Sequence, residues 1–119
     1  MTGAKLIVIY PRPTDIEAFN KCYQEEHVPM AVENLAGKTK IVATKVIGSP
    51  QGIPPFHVMV EVYFPSIEAL ESCAASEGGK KTLAHAVSIS TGGSPIFLVA
   101  EEQVHNFTQP PAPIFETMR

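Results

Sequence analysis

Hydrophobic and polar positions switch between two periods along the chain, and the switches predict its elements. Lys5 to Tyr10 is a β-branched apolar run closed by Pro11 and Pro13, which reads as a buried strand. Thr14 and Glu17 follow as a capping box, each side chain satisfying a backbone N–H that the first helical turn leaves free. Behind them Ile16, Phe19, Tyr23 and His27 recur at spacings of three and four, one stripe of a helix over about Asp15 to His27. Val28-Pro29 disfavours its continuation, because the proline ring pushes the residue before it toward extended geometry; an extra turn around Met30 to Leu35 stays open.

After Gly37 the run Lys40 to Ile47 predicts a second strand, and Gly48 to Pro55 is a loop by composition. Phe56 to Phe64 carries the clearest alternation: Val58, Val60, Val62 and Phe64 on one face, His57, Met59, Glu61 and Tyr63 on the other. Ser66 is placed to cap a second helix with Ile67, Leu70, Cys73 and Ala74 inward, and Ser76 to Gly79 interrupts it. A further helical stretch holds Leu83, Ala86 and Val87, and Pro95 to Glu101 predicts a fourth strand. The order is β-α-β-β-α-β, an α+β ferredoxin-like fold: a four-stranded antiparallel sheet with its helices on one face. An internal echo agrees, since Ile16-Glu17-Ala18-Phe19 with Cys22 recurs 51 residues later as Ile67-Glu68-Ala69-Leu70 with Cys73. One domain over residues 1–103 is expected, followed by an extended proline-rich tail over 104–119.

Such a sheet leaves one face bare. Charged residues are only 18% of the chain, below the ~25% usual for soluble domains, which suggests a hidden surface. Pairing two bare faces gives a homodimer of the dimeric α/β-barrel kind, its cavity lined partly by polar groups. Nine Lys and Arg against twelve Asp and Glu leave no basic footprint for nucleic acid or an anionic membrane. No apolar run approaches the ~18 residues of a spanning helix, and two cysteines are too few for a disulfide framework or a zinc site. A cytoplasmic protein with reduced thiols, no metal and no cofactor is expected.

Phosphate-binding, zinc-protease and nucleophile-elbow motifs are missing; Gly78-Gly79-Lys80-Lys81-Thr82 lacks the preceding strand and glycine spacing of a phosphate loop. The candidate catalytic residues are His27, Glu61 and His57. His27 closes the apolar stripe of the first helix, either as a half-buried residue favoured by the helix C-terminus or as a proton carrier at a cavity mouth. Glu61, set between two valines, is either a base whose pKa burial raises or a dimer-interface carboxylate paired with a basic residue or water. His57 and Glu61 share a strand face about 13 Å apart at ~3.3 Å per residue, too far to bond. Tyr10, Tyr23, Met59 and Tyr63 are the candidate substrate-binding residues. Cys22 and Cys73 read as matching core positions, and His85 and His105 fall off the apolar patterns, as solvated residues do.

KLIVIYPRP, FNKCYQEEHVPMA, FHVMVEVYFPSIEAL and GGSPIFLVAEE together resemble the EthD family over about residues 4 to 103. The most specific piece is F-x-x-x-Y-x-x-x-H-x-P, here Phe19, Tyr23, His27 and Pro29. That resemblance implies the same ferredoxin-like fold and barrel-type dimer. It also implies a role beside a cytochrome P450 system in degrading ethyl tert-butyl ether or a related xenobiotic. Relatives of the family, a methylmuconolactone isomerase among them, move protons without cofactors, and His27 matches the family's histidine. The isomerase's reactive cysteine corresponds to Val62 here, which counts against thiol chemistry. The expected function is binding of a small apolar organic molecule in the dimer-barrel cavity, with isomerase- or dehydratase-like proton transfer or activity linked to an oxidoreductase. A carrier without catalysis and a cofactorless monooxygenase are the alternatives.

Overall fold

A computed structural model of the chain describes residues 3–108. The elements are β1 (Ala4–Pro11), α1 (Ile16–Cys22), a widened π turn (Tyr23–His27), α2 (Val28–Asn34), β2 (Lys40–Lys45), β3 (Phe56–Phe64), α3 (Ile67–Ala75), α4 (Glu77–Ile89) and β4 (Ile96–Glu101). The sheet runs β2-β3-β1-β4 with every pairing antiparallel, the ferredoxin-like α+β arrangement. In β1 and β3 the even positions, from Leu6 and Val8 to Val60 and Val62, are buried under the helices, where they form the core with Phe19, Tyr23 and Leu70. None of the helices among the described residues is long and apolar enough to cross a membrane. The expected tail lies from residue 109 onward outside the described residues.

Four local expectations change. Asp15, not Thr14, caps α1: its Oδ1 accepts from the Ala18 N–H at 3.0 Å, one residue nearer the helix than Thr14 stands. Ser66 caps α3 the same way through the Ala69 N–H, so the echo extends to the two caps. The first helix also does not stop at Val28-Pro29. A regular α-helix would drive the Pro29 ring into the carbonyl four residues back. Instead the Val28 N–H reaches back to the Tyr23 carbonyl, a wider turn that accommodates Pro29 in the first turn of α2 and continues the rod. That turn also buries both Tyr23 and His27.

The interruption between α3 and α4 is the single residue Ser76, whose Oγ accepts from the Gly79 N–H and donates to the Cys73 carbonyl. Gly78 and Gly79 lie inside α4, where a Cβ would strike the Asn34 and Cys73 carbonyls respectively. The glycine pair that superficially resembles a phosphate loop serves close helix packing.

The fourth change concerns His57. Tyr10 stands opposite Val58 and Pro11 opposite Phe56, so His57 is the unpaired residue of a β-bulge. The bulge turns His57 onto the helix side, away from Met59, Glu61 and Tyr63, where Nε2 donates to Asn20 Oδ1 at 2.8 Å.

Candidate functional site

The widened turn brings His27 under the sheet against the end of β1. The Tyr10 hydroxyl lies 3.2 Å from His27 Nε2, and His27 Nδ1 lies 2.9 Å from His85 Nδ1. The His85 ring lies within 10° of the His27 plane with centroids 5.1 Å apart, edge to edge through the two Nδ1 atoms, and the Tyr23 ring packs against His27 at 5.9 Å. Tyr10 is almost wholly buried, and burial raises its pKa, so it keeps its proton and donates to Nε2. His27 therefore carries its hydrogen on Nδ1 and donates to His85. Burial, aided by the neighbouring His85, lowers the His27 pKa to about 4, which makes it a neutral imidazole at pH 7. The result is a directed chain, Tyr10 to His27 to His85, from the interior to the half-exposed face of α4.

A cavity of about 40 Å³ opens beside this chain, between sheet and helices. Leu6, Val60, Val62 and Leu35 supply aliphatic wall, and the Tyr10 hydroxyl and His27 ring its polar edge. Its size is close to the ~30 Å³ share of one water molecule, so a larger guest requires the half-buried Val28 and Leu83 to move aside. A second, more polar cleft lies next to it, lined by Asn20, Gln24, Lys45 and His57 and joined to the first through Tyr23. Burial lowers the His57 pKa, with Lys45 and Arg12 adding to the effect, so His57 too is neutral at pH 7.

The structure thus divides the candidate residues between two faces. Tyr10, Tyr23 and His27 meet on the helix side, with His57 one cleft away. Met59, Glu61 and Tyr63 lie on the opposite, open face of β3. There Lys5 Nζ donates to Glu61 Oε2 at 2.6 Å, and the Tyr63 hydroxyl donates to the same oxygen at 3.4 Å. Of the two sequence readings of Glu61, the protomer displays the paired carboxylate. Cys73 is a core residue as expected, while Cys22 stands at the rim of α1; burial is the main cause raising both thiol pKa values, so neither is a reactive thiolate.

His85 is the site residue that its sequence position concealed. The buried stripe of α4 is Thr82, Ala86 and Ile89, and His85 borders it on the side of His27. The signal in the sequence is a stripe through Thr82, Ala86 and Ile89, with His85 on its edge.

The chain matches the family model described as EthD domain over residues 11–87. Among curated proteins it is similar to an uncharacterized 11.0 kDa protein in the thcB-thcC intergenic region of Rhodococcus erythropolis, 25% identical over 84% of this chain and 96% of that one. Among solved structures it is similar to an ethyl tert-butyl ether D (EthD) family protein from Bacillus halodurans C-125. The two are 29% identical with a TM-score of 0.79, covering 85% of this chain and 99% of that one. A dimeric protein of unknown function and ferredoxin-like fold from Bacteroides fragilis NCTC 9343 shares the fold, with a TM-score of 0.57 at 15% identity over 84% and 96% of the two chains.

Proposed function

The chain belongs to the EthD family, and from that premise we propose that it binds a small, largely apolar organic molecule between helices and sheet and moves a proton on it without a cofactor. The observation that carries this reading is the Tyr10–His27–His85 chain at the edge of an otherwise aliphatic cavity. In the proposed step a bound acid gives its proton to the Tyr10 oxygen as the Tyr10 proton passes to His27 Nε2. The Nδ1 proton of His27 moves on to His85, and reversal returns a proton to the ligand at the same or another atom. Neutral His27 is the form this requires at pH 7. Water exclusion by Leu6, Val60 and Val62 favours transfer between positioned groups over exchange with solvent.

In this reading the protein is a cytoplasmic homodimer serving oxidative degradation of a xenobiotic, with a cytochrome P450 system as its partner in the pathway. The pathway assignment rests on family membership. Support for the dimer comes from the open face, where Ile7, Ile9, Met59 and Leu98 are incompletely covered, and from β4, exposed on both sides at Leu98 (46%) and Val99 (59%).

The test uses two probes. Titration of ethyl tert-butyl ether into isotopically labelled protein should shift the methyl signals of Leu6, Val60 and Leu83 and leave Ile7 and Leu98 unmoved. An enolisable lactone in deuterated water should exchange its α-hydrogen, and the rate should fall by about 10²-fold or more in His27→Ala. Binding without exchange would leave a carrier; neither binding nor exchange would end the reading.

A further inference from the structure

We propose that Cys22, Glu26 and His85 form a binding site for a divalent transition-metal ion of the zinc class, on the outer side of the His27 pocket. The cysteine sulfur, a Glu26 carboxylate oxygen and one ring nitrogen of His85 all lie within 4.8 Å of one another. Cys22 and Glu26 are four residues apart across the junction of α1 and the π turn, so both project from one side of the rod. His85 comes from α4 opposite. The three share a surface cleft of about 340 Å³ between these elements, which gives a hydrated cation a route in.

The donor set fits the chemistry. Thiolate, imidazole and carboxylate are the three zinc ligands, with bonds of about 2.3 Å to sulfur and about 2.0–2.2 Å to nitrogen and oxygen. A tetrahedral ion of those bond lengths holds its donors about 3.5 Å apart, so closing the cluster needs a movement of roughly an ångström. Glu26 is exposed and supplies that movement by side-chain rotation. Three protein donors leave a fourth position for water or a ligand atom.

Two further observations separate this cluster from a chance meeting of polar residues. The echo makes Cys22 the counterpart of Cys73, yet Cys73 is buried in the core and Cys22 opens on the cleft. Its thiol packs against the core on one side and faces the cleft on the other, where an ion can reach it. His85 is also held from behind, its Nδ1 2.9 Å from His27 Nδ1. Metal-binding histidines donate their second ring N–H to such an outer partner, so an ion on the nitrogen facing away from His27 places a hydrogen on His85 Nδ1 and reverses the direction this contact has in the ion-free chain. The same contact joins the ion to the Tyr10–His27 chain: with one His85 nitrogen coordinated and Nδ1 protonated, His85 has no lone pair left to accept a proton.

The site stands on its own geometry and is tested without reference to turnover. Cobalt(II) added to the reduced full-length protein should give thiolate-to-cobalt charge-transfer absorption in the near ultraviolet and the visible bands of a tetrahedral ion, and zinc should abolish both. The charge-transfer band should vanish in Cys22→Ser and persist in Cys73→Ser. Zinc affinity, read by competition with a chromophoric chelator, should fall about tenfold or more in His85→Ala and in Glu26→Gln. Circular dichroism establishes that each variant is folded. A folded wild-type protein without the charge-transfer band overturns the proposal. So does a band that survives Cys22→Ser, or a zinc affinity indifferent to both His85→Ala and Glu26→Gln.

Discussion

Tyr10 and His27, seventeen residues apart, meet through hydroxyl and Nε2 at 3.2 Å where the end of β1 passes under the π turn. Neither partner alone fixes this contact. Pro29 imposes the wide turn that carries His27 inward, and the last inward position of β1 sets Tyr10 beneath it. Tyr10→Phe keeps the ring and its edge contacts with Phe19 and Tyr23 but leaves a buried nitrogen without a donor. The expected cost is about 1–3 kcal/mol, measured as a lower urea midpoint. Lactone exchange should fall with it by about 10²-fold or more, because the proton path loses its first member. A Tyr10→Phe protein as active as wild type would remove Tyr10 from the mechanism.

The two buried histidines set the acid side of the stability curve. Both have lowered pKa values in the fold, His27 to about 4 from an ordinary 6.5, His57 by burial and the nearby Lys45 and Arg12. Below pH 6.5 the unfolded chain takes up protons that the folded chain refuses, so stability is full above that pH and falls as pH drops toward the folded values. Each histidine adds a slope of at most about 1.4 kcal/mol per pH unit. Urea midpoints should decline from pH 7 to pH 5, with a chelator present to keep cations from His85. The decline should shrink in His27→Gln and in His57→Gln. Midpoints that hold level across that range would contradict the neutral, buried state of both rings.

Much of this fold is written in local patterns, and the site only partly. Phe56–Phe64 emerges with its expected boundaries because strict alternation is bracketed by prolines at 55 and 65. His27 stands out because it closes a helical stripe of aromatics. What local pattern cannot carry is register. The bulge that turns His57 to the helix side exists only as the offset between Tyr10–Val58 and Pro11–Phe56. The same holds for the pairing of Glu61, which depends on Lys5 lying diagonally across β1. His85 belongs to the site through the distance between two helices, and no periodicity within α4 expresses that. The π turn was hidden differently: Val28-Pro29 is a sound break signal, and a widened turn is the less common way of obeying it.

Gly79 has no conformational peculiarity, yet it is the tightest point between α3 and α4. A Cβ there would collide with the Cys73 carbonyl, a backbone atom that cannot swing away, and with Ala74 behind it. Gly79→Ala should therefore destabilise by about 1–3 kcal/mol through overpacking, although alanine is the better helix former. Gly48→Ala, at a position with nothing near its Cβ, is the matched control and should change the urea midpoint little. Equal midpoints for the two variants would show that α3 and α4 are free to separate.

The open sheet face is where the low charge content of the chain acquires a structural meaning. Ile7 lies opposite Leu98 and Ile9 opposite Ile96, giving β1 and β4 a continuous apolar strip. Beside it Glu61 is held by Lys5, and the Tyr63 ring takes Lys40 at 4.5 Å and Lys5 at 5.2 Å from its centroid. An apolar strip bordered by satisfied charges is the make-up of an interface core and its rim. A second copy of the same face would cover Ile7 and Leu98 without stranding the Glu61 carboxylate, which already has its cation. Leu98→Asp places a charge in the strip itself and should yield a folded monomer at concentrations where the wild type sediments as a dimer. Glu61→Gln, at the rim, should leave the dimer nearly intact and act mainly on the association rate and its salt dependence, as rim charges do. Sedimentation of the wild type as a monomer at low micromolar concentration would instead mean that this face meets water, and the dimeric reading would fall.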